Sequence, residues 1–297
     1  MLKIRFRRDP YQQTMIISSH RITLDNRYAD YLLGSSDAEH ERLIRQARRL
    51  APVTERFFRE AGIGPGLRIL DLGSGVGDVA MLLSRLVGPS GEVVGIERDA
   101  RSINRAQTRA AEAGLHNVTF AQTDIAQFSS DAPFDAVAGR FILQFLPDPV
   151  GALSSLSKKV KPGGIIAFQE GSWGPFVLLS AHLPLWSAGV SLLHEVSARS
   201  GVNMEMGPAL YKVFRDAGLP APSIRLEMEL GHDPDFTRWV SDSINSVRPQ
   251  IERLNLSLEQ LGDLDTLQQR LQEEVASSNT VVPWLALVGA WCRKSVN

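Results

Sequence analysis

Short apolar runs alternate with helical patterns between residues 68 and 170. The stretches between the runs repeat their apolar residues at helical spacing, and two of them end at Gly88 and Gly114. Alternation of strands and helices predicts a parallel sheet with right-handed crossovers and helices on both faces. The predicted strands are almost entirely apolar, as a sheet covered on both faces requires. These strands read "LRILDLG", "GEVVGIE", "VTFAQTD", "FDAVAGRFIL" and "IIAFQE".

The pattern changes on either side of this region. Upstream, "DAEHERLIRQARRLAPVTERFFREAG" predicts one or two helices. Downstream, "GSWGPFVLLSAHLPLWSAGVSLLHEVSARSG" and "GPALYKVFRDAG" predict helices, and "SIRLEMELG" predicts a strand. A polar helical stretch then runs from about Pro234 to Ser278, and "VVPWLALVGAWCRK" predicts a closing strand.

We therefore predict one α/β core of the nucleotide-binding type, with helical segments before it and inserted late in the chain. The predicted segments are an N-terminal arm with helices covering the site (1–67), the core (68–170), a helical insertion (171–205), a return to the core (206–233), a second helical insertion (234–278) and the closing strand (279–297).

Composition narrows the function classes. The chain has 297 residues, 43% hydrophobic and 22% charged, which is typical of a globular protein. Its net charge of −1 argues against a nucleic-acid surface, and no apolar run reaches membrane-spanning length. Cys292 is the only cysteine, so we expect neither a disulfide framework nor a thiolate metal site, and the histidines show no metal-ligand grouping. These features predict a cytoplasmic protein without metal or membrane insertion.

The stretch "LDLGSGVGDVA" places a glycine-rich loop at the end of the first predicted strand. Its spacing, Gly73-x-Gly75-x-Gly77, is one residue shorter than the dinucleotide fingerprint. Asp71 precedes the glycines, and its carboxylate would repel a pyrophosphate but suits a cationic ligand group. The loop therefore favours a ligand that needs close backbone approach and carries a positive charge.

Two further acids end the next two predicted strands. Glu97 lies about twenty residues past the loop, where an acidic side chain can accept from both hydroxyls of a ribose. Asp124 can accept from the exocyclic amine of a purine, and Ile125 offers its backbone N–H and an apolar surface. Because open sheets bind ligands at the carboxyl ends of their strands, the implied ligand is an adenine nucleoside without phosphate and with a cationic end. S-adenosylmethionine fits that description.

These motifs resemble the Rossmann-like class I methyltransferases. "ILDLGSGVGDVA", "VVGIERD", "AQTDIAQF" and "LSKKVKPGGIIAFQE" match the family's motifs in register from about Arg68 to Glu170. More loosely, the chain is similar to bacterial small-molecule methyltransferases near the ubiquinone/menaquinone type. The resemblance implies a seven-stranded, mostly parallel sheet of order 3-2-1-4-5-7-6, with the last strand inserted antiparallel beside the fifth. It also implies methyl transfer from S-adenosylmethionine, with S-adenosylhomocysteine as product.

The resemblance also implies roles for individual residues. The backbone of the glycine loop would approach the methionine part, Asp71 would act near its amino group, and Glu97 would hold the ribose. Arg140 stands where a smaller residue is expected, so it could bind an acidic substrate or pair with Asp71 or Glu170. The full set of implied cofactor-binding residues is Asp71, Gly73, Ser74, Gly75, Gly77, Glu97, Arg98, Asp124, Ile125, Arg140, Gln144 and Tyr31.

Candidate bases and substrate-binding residues follow from the predicted positions of residues at strand ends and on helix faces. Glu170 ends the fifth predicted strand, and His194 would share a helical face with Trp186 and Val190. Either could deprotonate an acceptor; the alternatives are a structural carboxylate pairing with Arg140 and a core histidine. The aromatic residues could form an apolar acceptor pocket or ordinary helix core. We expect the acceptor to contact Tyr28, Phe141, Phe145, Trp173 and Trp186.

Several alternatives stay open at this stage. A nicotinamide-dependent oxidoreductase uses a related fold, although the short glycine spacing and Asp71 argue against it. A protein could also bind S-adenosylmethionine without transferring its methyl group. The sequence leaves open whether oxygen, nitrogen or carbon is methylated. The amphipathic stretches "RWVSDSINSVRPQIERLN" and "LDTLQQRLQEEV" could support a homodimer or form a cap over the site.

Overall fold

The structure, a computed structural model, describes residue 34 and residues 36–296. Its strands pair into one seven-stranded sheet and one two-stranded ladder, β7 with β8. The strands are β1 (Arg68–Leu72), β2 (Glu92–Glu97), β3 (Val118–Gln122), β4 (Phe134–Arg140), β5 (Val160–Ser172), β6 (Ser223–Glu227), β7 (Leu230–Gly231), β8 (Val282–Pro283) and β9 (Ala286–Arg293).

The large sheet has the order β3-β2-β1-β4-β5-β9-β6. Strands β1 to β5 pair in parallel, whereas β9 runs antiparallel to both of its neighbours, β5 and β6. Since β9 is the last strand of the chain and the seventh of this sheet, the predicted order 3-2-1-4-5-7-6 is confirmed.

Helices cover both faces of the sheet, as predicted. Ile69 of β1 belongs to the apolar cluster shared with α1, α2 and α3, while Leu70 and Leu72 face the cluster shared with α4 and α7. Successive side chains of a strand point to opposite faces of the sheet, so the apolar run of β1 supplies apolar side chains to both faces. The helices are α1 (Asp37–Glu60), α2 (Asp78–Val87), α3 (Ala100–Glu112), α4 (Pro149–Ser157), α5 (Gly174–Ser180), α6 (Pro184–Arg199), α7 (Met206–Asp216), α8 (Pro234–Ser246), α9 (Arg248–Arg253) and α10 (Leu267–Ser277).

The helical stretches predicted from the sequence differ in detail from the observed helices. The upstream stretch is a single helix, α1, that continues through Pro52. The stretch after β5 divides into α5 and α6, and Pro184 stands in the first turn of α6, where its missing N–H costs nothing. The stretch from Pro234 to Ser278 contains three helices rather than one continuous run.

Helices α5, α6, α8, α9 and α10 form a layer that we call the cap. Its apolar core combines aliphatic and aromatic side chains, and the ring centroids of Trp186 and Trp239 lie 6.2 Å apart. Leu50 and Val53 of α1 belong to the same apolar cluster, so α1 connects the cap to the sheet. The predicted segment boundaries stay a prediction, although both predicted insertions contribute helices to the cap.

A glycine in β9 lets α1 approach the sheet closely. A Cβ atom built at Gly289 would lie 2.4 Å from Cδ2 of Phe57, whose side chain is 1% exposed. We expect Gly289→Ala to lower the free energy of unfolding by about 1–3 kcal/mol, because the ring or the strand must shift.

Chemical denaturation of Gly289→Ala, Phe57→Leu and the double variant measures this contact. We expect the double variant to lose less stability than the sum of the single variants, because the smaller side chain makes room for the methyl group. Full additivity would show that Phe57 does not restrict Gly289.

Candidate functional site at the carboxyl ends of the strands

A cavity of about 650 Å³ opens at the carboxyl ends of β1, β2 and β4, below the cap. It lies where the strand order reverses, between β1 and β4, which is the usual ligand crevice of open α/β sheets. The sheet side of the cavity is lined by Gly73, Ser74, Gly75, Glu97, Arg98, Asp124, Ile125 and Arg140. The cap side is lined by Trp173, Leu193, Val202, Met204, Trp239, Val247 and Trp284.

The glycine loop follows β1 directly and forms one wall of the cavity. A Cβ atom at Gly73 would lie 2.5 Å from Cδ1 of Ile142, so packing requires a glycine there. Gly75 has a positive φ of 50°, and a Cβ atom built on it would meet no atom within 4 Å. The space beside Gly75 therefore belongs to the cavity and admits close approach of a ligand.

Ser74 and Gly77 differ in their relation to the cavity. Oγ of Ser74 is shielded from solvent and has no hydrogen-bond partner within the described residues, although the side chain lines the cavity. Gly77 precedes α2 and does not line the cavity; a Cβ atom there would lie 3.0 Å from Cβ of Ala106. Gly77 therefore contributes to helix packing, and its contact with the cofactor stays a prediction.

Glu97 ends β2 beside the glycine loop, as the sequence predicts. Its Oε2 accepts a hydrogen bond from the backbone N–H of Gly75 at 3.1 Å. Its Oε1 accepts from the backbone N–H groups of Arg98 and Asp99 at 2.7 and 3.1 Å. Because backbone amides fix the carboxylate, it is oriented toward the cavity before any ligand arrives.

Asp124, Ile125 and Arg98 line the far end of the cavity together. Oδ1 of Asp124 accepts from the backbone N–H of Ala126 at 2.9 Å, and Oδ2 lies 4.0 Å from Nη1 of Arg98. Both side chains remain partly accessible, so their charges stay available to a polar ligand edge.

Asp71 and Arg140 lie close together at the ends of β1 and β4 but form no ion pair. Asp71 is 1% exposed and does not line the cavity, and its Oδ2 has no hydrogen-bond partner among the described residues. Burial raises the pKa of Asp71 well above its usual range, and the charge of Arg140 opposes that shift. Asp71 is therefore buried behind the cavity wall and does not face a ligand directly.

Arg140 lines the cavity, and two successive hydrogen bonds connect its guanidinium to Thr54 and Gln169. Its Nη1 donates to Oγ1 of Thr54 at 2.9 Å, and Thr54 in turn donates to Oε1 of Gln169 at 2.8 Å. Burial lowers the pKa of Arg140, while the carboxylates of Asp78 and Asp71 oppose that shift. Within residues 36–296, neither Asp71 nor Glu170 forms an ion pair with Arg140, whose hydrogen-bond partner is Thr54. An acidic ligand at Arg140 stays a prediction.

Glu170 is placed differently from the expectation, because β5 continues to Ser172. The side chain is 0% exposed and does not line the cavity. Its Oε1 accepts from the backbone N–H groups of Ile142 and Leu143 at 3.0 and 2.8 Å. Burial raises the pKa of Glu170 to about 8, against the opposing effect of these hydrogen bonds. Glu170 holds the loop after β4, so its expected role as a base facing the acceptor is corrected.

His194 and Trp186 also lie outside the cavity lining. On a helix with 3.6 residues per turn, a residue eight positions further along points about 80° away from the first. His194 is accordingly exposed while Trp186 is fully buried in the cap core. The ring of His194 meets the edge of Trp173 at a centroid distance of 6.0 Å. The expected catalytic position of His194 and the expected substrate contact of Trp186 are therefore corrected.

The remaining aromatic and loop residues reach the cavity. Phe141, Gln144 and Phe145, which follow β4, line the cavity, and so does Trp173, which follows β5. Phe141 has a positive φ of 55°, which is unusual for a non-glycine residue, and its N–H donates to the carbonyl of Gln169 at 2.9 Å. Tyr28 and Tyr31 lie outside the described residues.

Sequence reasoning missed part of the cap side. Trp284 precedes β9, and Ser197, Ser200 and Ser243 lie on or beside α6 and α8, yet all four line the cavity. No local pattern distinguishes these serines from other helix serines, because the cap brings them to the cavity only by tertiary packing. Arg42 of α1 also lines the cavity, and its guanidinium forms a buried ion pair with Glu39 at 2.7 Å.

Comparisons with known proteins agree with this geometry. Residues 63–218, more than half of the chain, match the family described as "Methyltransferase domain". The chain belongs to this methyltransferase family. The expected enzyme class and the expected cofactor, S-adenosylmethionine, are therefore confirmed.

Individual relatives are more distant. Demethylmenaquinone methyltransferase from Staphylococcus aureus is 32% identical over 119 residues, which are 40% of this chain and 48% of the relative. The chain thus spans about half the length of the curated relatives it matches. The putative methyltransferase of Bacillus halodurans has a TM-score of 0.55 at 17% identity, covering 81% of this chain and 97% of its own. The YcgJ protein of Bacillus subtilis has a TM-score of 0.54 at 16% identity, covering 84% and 99%. These two structures share the fold.

The cavity of this methyltransferase suits its cofactor. The open space beside Gly75 leaves room for a ligand against the backbone. Within residues 36–296, no group of three or more His, Cys, Asp or Glu side chains is arranged to hold a metal ion.

In the described part of the chain, no helix is both long enough and apolar enough to cross a membrane.

Gly75→Val tests whether the glycine loop holds the cofactor. The new side chain would enter the cavity and be strained at positive φ. We expect it to abolish S-adenosylhomocysteine binding in a calorimetric titration. Gly114→Val is the matched control, because Gly114 also has a positive φ of 64° and open space around it but does not line the cavity. The control should lose similar stability yet bind normally; normal binding by Gly75→Val would show that the loop is only a turn.

Glu170→Ala and Glu170→Gln test the role of the buried carboxyl. Removal of the side chain leaves two backbone N–H groups without an acceptor, so Glu170→Ala should cost about 2–5 kcal/mol of stability. Glu170→Gln keeps the accepting oxygen without an ionisable proton, so it should match the wild type below about pH 4.5 and be at least as stable as the wild type at neutral pH.

The carboxyl group of Glu170 also predicts how the stability of the protein depends on pH. Its pKa of about 8 in the folded protein lies above the ordinary value of 4.5, so the folded state binds the proton more tightly. The stability of the wild type relative to Glu170→Gln should therefore be greatest below about pH 4.5 and fall as the pH rises toward 8. Denaturation of both proteins across this range measures the difference; a constant difference would contradict a raised pKa.

Proposed function

We propose that this methyltransferase transfers a methyl group to a small, apolar or aromatic molecule of the natural-product or quinone type. The observation that carries the proposal is the cap side of the cavity, where three tryptophans and several aliphatic side chains face the sheet. Such a wall buries a flat apolar ligand well and offers few groups to a strongly polar one. The acceptor would lie between this wall and the end of β4.

The residues that would hold S-adenosylmethionine come from the sheet side. Glu97 would accept from the ribose hydroxyls, and Asp124 with Ile125 would contact the adenine. The backbone of the glycine loop would lie against the methionine part. When bound, the cofactor supplies a methyl group on a sulfonium, which is already a good leaving group. The protein's own contribution is then to align the acceptor and to exclude water.

We propose that methyl transfer here uses no general base from the cavity wall. Within the described residues, the acids that line the cavity are Asp78, Glu97, Asp99 and Asp124, all on the cofactor side, and no histidine lines it. Arg140 lies at the end of β4, next to the aromatic Phe141 and Phe145. We propose that the acceptor releases its proton to solvent and binds as an oxyanion beside this guanidinium, whose positive charge lowers the pKa of the acceptor, so that the acceptor is nucleophilic without a general base.

The Staphylococcus aureus relative supports the quinone type, since its name gives demethylmenaquinone as its substrate. The match covers 40% of this chain, so the acceptor here remains a proposal. We also propose a cytoplasmic location; a homodimer formed through the cap helices is compatible with their amphipathic sequence.

A screen of aromatic and quinone-like acceptors with methyl-labelled S-adenosylmethionine tests this function. The expected result is a product heavier than one of the acceptors by one methylene group. Labelled cofactor that binds but is never transferred would favour the alternative of a non-methylating binding protein. Binding of NAD in preference to S-adenosylhomocysteine would contradict the proposal entirely.

Glu97→Ala tests the proposed ribose contact. Two charge-assisted hydrogen bonds are worth about 2–4 kcal/mol together, so we expect at least about tenfold weaker binding of S-adenosylhomocysteine. Glu92→Ala is the control, because Glu92 lies at the opposite end of the same strand and pairs with Arg68 at the surface. Equal dissociation constants for both variants would place the ribose elsewhere.

A further inference from the structure

The guanidinium of Arg140 lies half-buried at the end of β4 without an acid in ion-pair contact among the described residues. An arginine in such a place commonly pairs with a carboxylate, because the burial of an isolated charge is costly. The carboxylates whose charges act on Arg140 are those of Asp78 and Asp71. Asp78 instead pairs with Arg109 at 2.7 Å, and Asp71 leaves its Oδ2 without a partner in the described residues. Groups other than acids therefore set the direction of the guanidinium.

Two uncharged side chains set this direction. Nη1 of Arg140 donates to Oγ1 of Thr54 at 2.9 Å, and Thr54 donates to Oε1 of Gln169 at 2.8 Å. A guanidinium can only donate, so Oγ1 of Thr54 must accept from it. The single proton of the Thr54 hydroxyl then needs another acceptor, which Gln169 supplies. Thr54 is 0% exposed and Gln169 is 2% exposed, so water does not compete for these bonds.

The two hydrogen bonds join three elements of the fold. Thr54 lies on α1, Gln169 on β5 and Arg140 on β4. On α1, Val53 packs into the apolar cluster of the cap, and Phe57 packs tightly against β9. Because α1 is fixed on both sides of Thr54, the accepting oxygen has a fixed position as well.

The rest of the guanidinium remains available to a ligand. Nε and Nη2 of Arg140 have no hydrogen-bond partner in the described part of the chain and, unlike Oδ2 of Asp71, they are not shielded from solvent. Since Arg140 lines the cavity, a bound ligand can reach these N–H groups. Phe141 lines the cavity beside it, and its ring centroid lies 5.9 Å from Cζ of Arg140. An aromatic ligand with an anionic oxygen would find a partner for each part here.

We propose that Thr54 and Gln169 are positioning residues that hold the guanidinium of Arg140 toward the acceptor and away from Asp71. This inference rests on the proposed function, because it assumes that the acceptor binds beside Arg140 as an oxyanion. It adds that the preference for such an acceptor depends on two side chains that do not themselves line the cavity. Without the Thr54 hydroxyl, the guanidinium is free to turn to the unpartnered Oδ2 of Asp71, and its charge is then lost to the acceptor.

A spectrophotometric titration of bound 4-nitrophenol tests the inference, because the anion of this probe absorbs at a longer wavelength than the neutral form. The protein is the full chain saturated with S-adenosylhomocysteine, and the probe releases its proton to the buffer. We expect the wild type to bind the phenolate about tenfold more tightly than the phenol, which lowers the pKa of the bound probe. Asp71, Asp78 and Glu170 are the same in every variant below, so differences between variants report the guanidinium.

Thr54→Val keeps the size of the side chain but removes its hydroxyl, and it should lower the preference for the phenolate by about threefold or more. Thr54→Ser keeps the hydroxyl and should keep the wild-type preference. Thr237→Val is the matched control, because Thr237 is also a fully buried helix threonine but does not line the cavity. The hydroxyl of Thr237 donates within α8, to the carbonyl of Pro234 at 3.3 Å, so its removal should leave the preference unchanged.

Arg140→Met measures how much of the preference comes from the guanidinium. A preference that is lost in Arg140→Met but kept in Thr54→Val would overturn the positioning role and leave the proposed function intact. Equal binding of phenol and phenolate by the wild type, or failure to bind either, would overturn the inference together with the proposed oxyanion.

The affinity for S-adenosylhomocysteine, measured on the same samples, should be unchanged in Thr54→Val. Weaker binding of S-adenosylhomocysteine with an unchanged preference for the phenolate would show that the guanidinium faces the carboxylate of the cofactor. That result would also overturn the inference.

Discussion

The site depends on one constraint of the sheet, the reversal of strand order between β1 and β4. From β1 the chain proceeds outward to β2 and β3, and from β4 it proceeds in the opposite direction to β5. The connections that follow β1 and β4 therefore diverge, and a crevice opens between them. The glycine loop and the loop that begins at Phe141 form its two walls, and the cap closes it from above. Without this reversal the acids at the strand ends would have no common ligand.

The structure concentrates unfavourable local features around this crevice. Asp71 and Glu170 are buried carboxyl groups with raised pKa values, and Phe141 has a positive φ. Glu170 accepts from the two backbone N–H groups that follow Phe141, which stabilises this turn. Strained and desolvated residues of this kind persist when the surrounding structure fixes them, and they often mark functional sites. Glu170 thus serves the site by shaping the loop that carries Phe141 and Phe145.

The sheet side of the site could be predicted from the sequence, and the cap side could not. Glu97 and Asp124 follow short apolar strands, and the carboxyl ends of parallel strands meet at one edge, so local pattern suffices to place them. Glu170 was misplaced because β5 continues beyond it, and strand ends are difficult to locate in an apolar run. His194 was misplaced because a small error in helical phase grows along the helix. Ser200 and Trp239 reach the cavity through contacts between α6 and α8, which no local pattern shows.

The most direct test of this account is the position of the transferable methyl group. A nuclear Overhauser experiment with S-adenosylmethionine labelled with carbon-13 in its S-methyl group would identify the protein protons near that group. The account predicts cross-peaks to ring protons of Phe141 or Trp173, because the methyl group should face the aromatic side of the cavity, within about 5 Å of ring protons. Cross-peaks only to residues outside the cavity lining, such as His194 or Trp186, would contradict it.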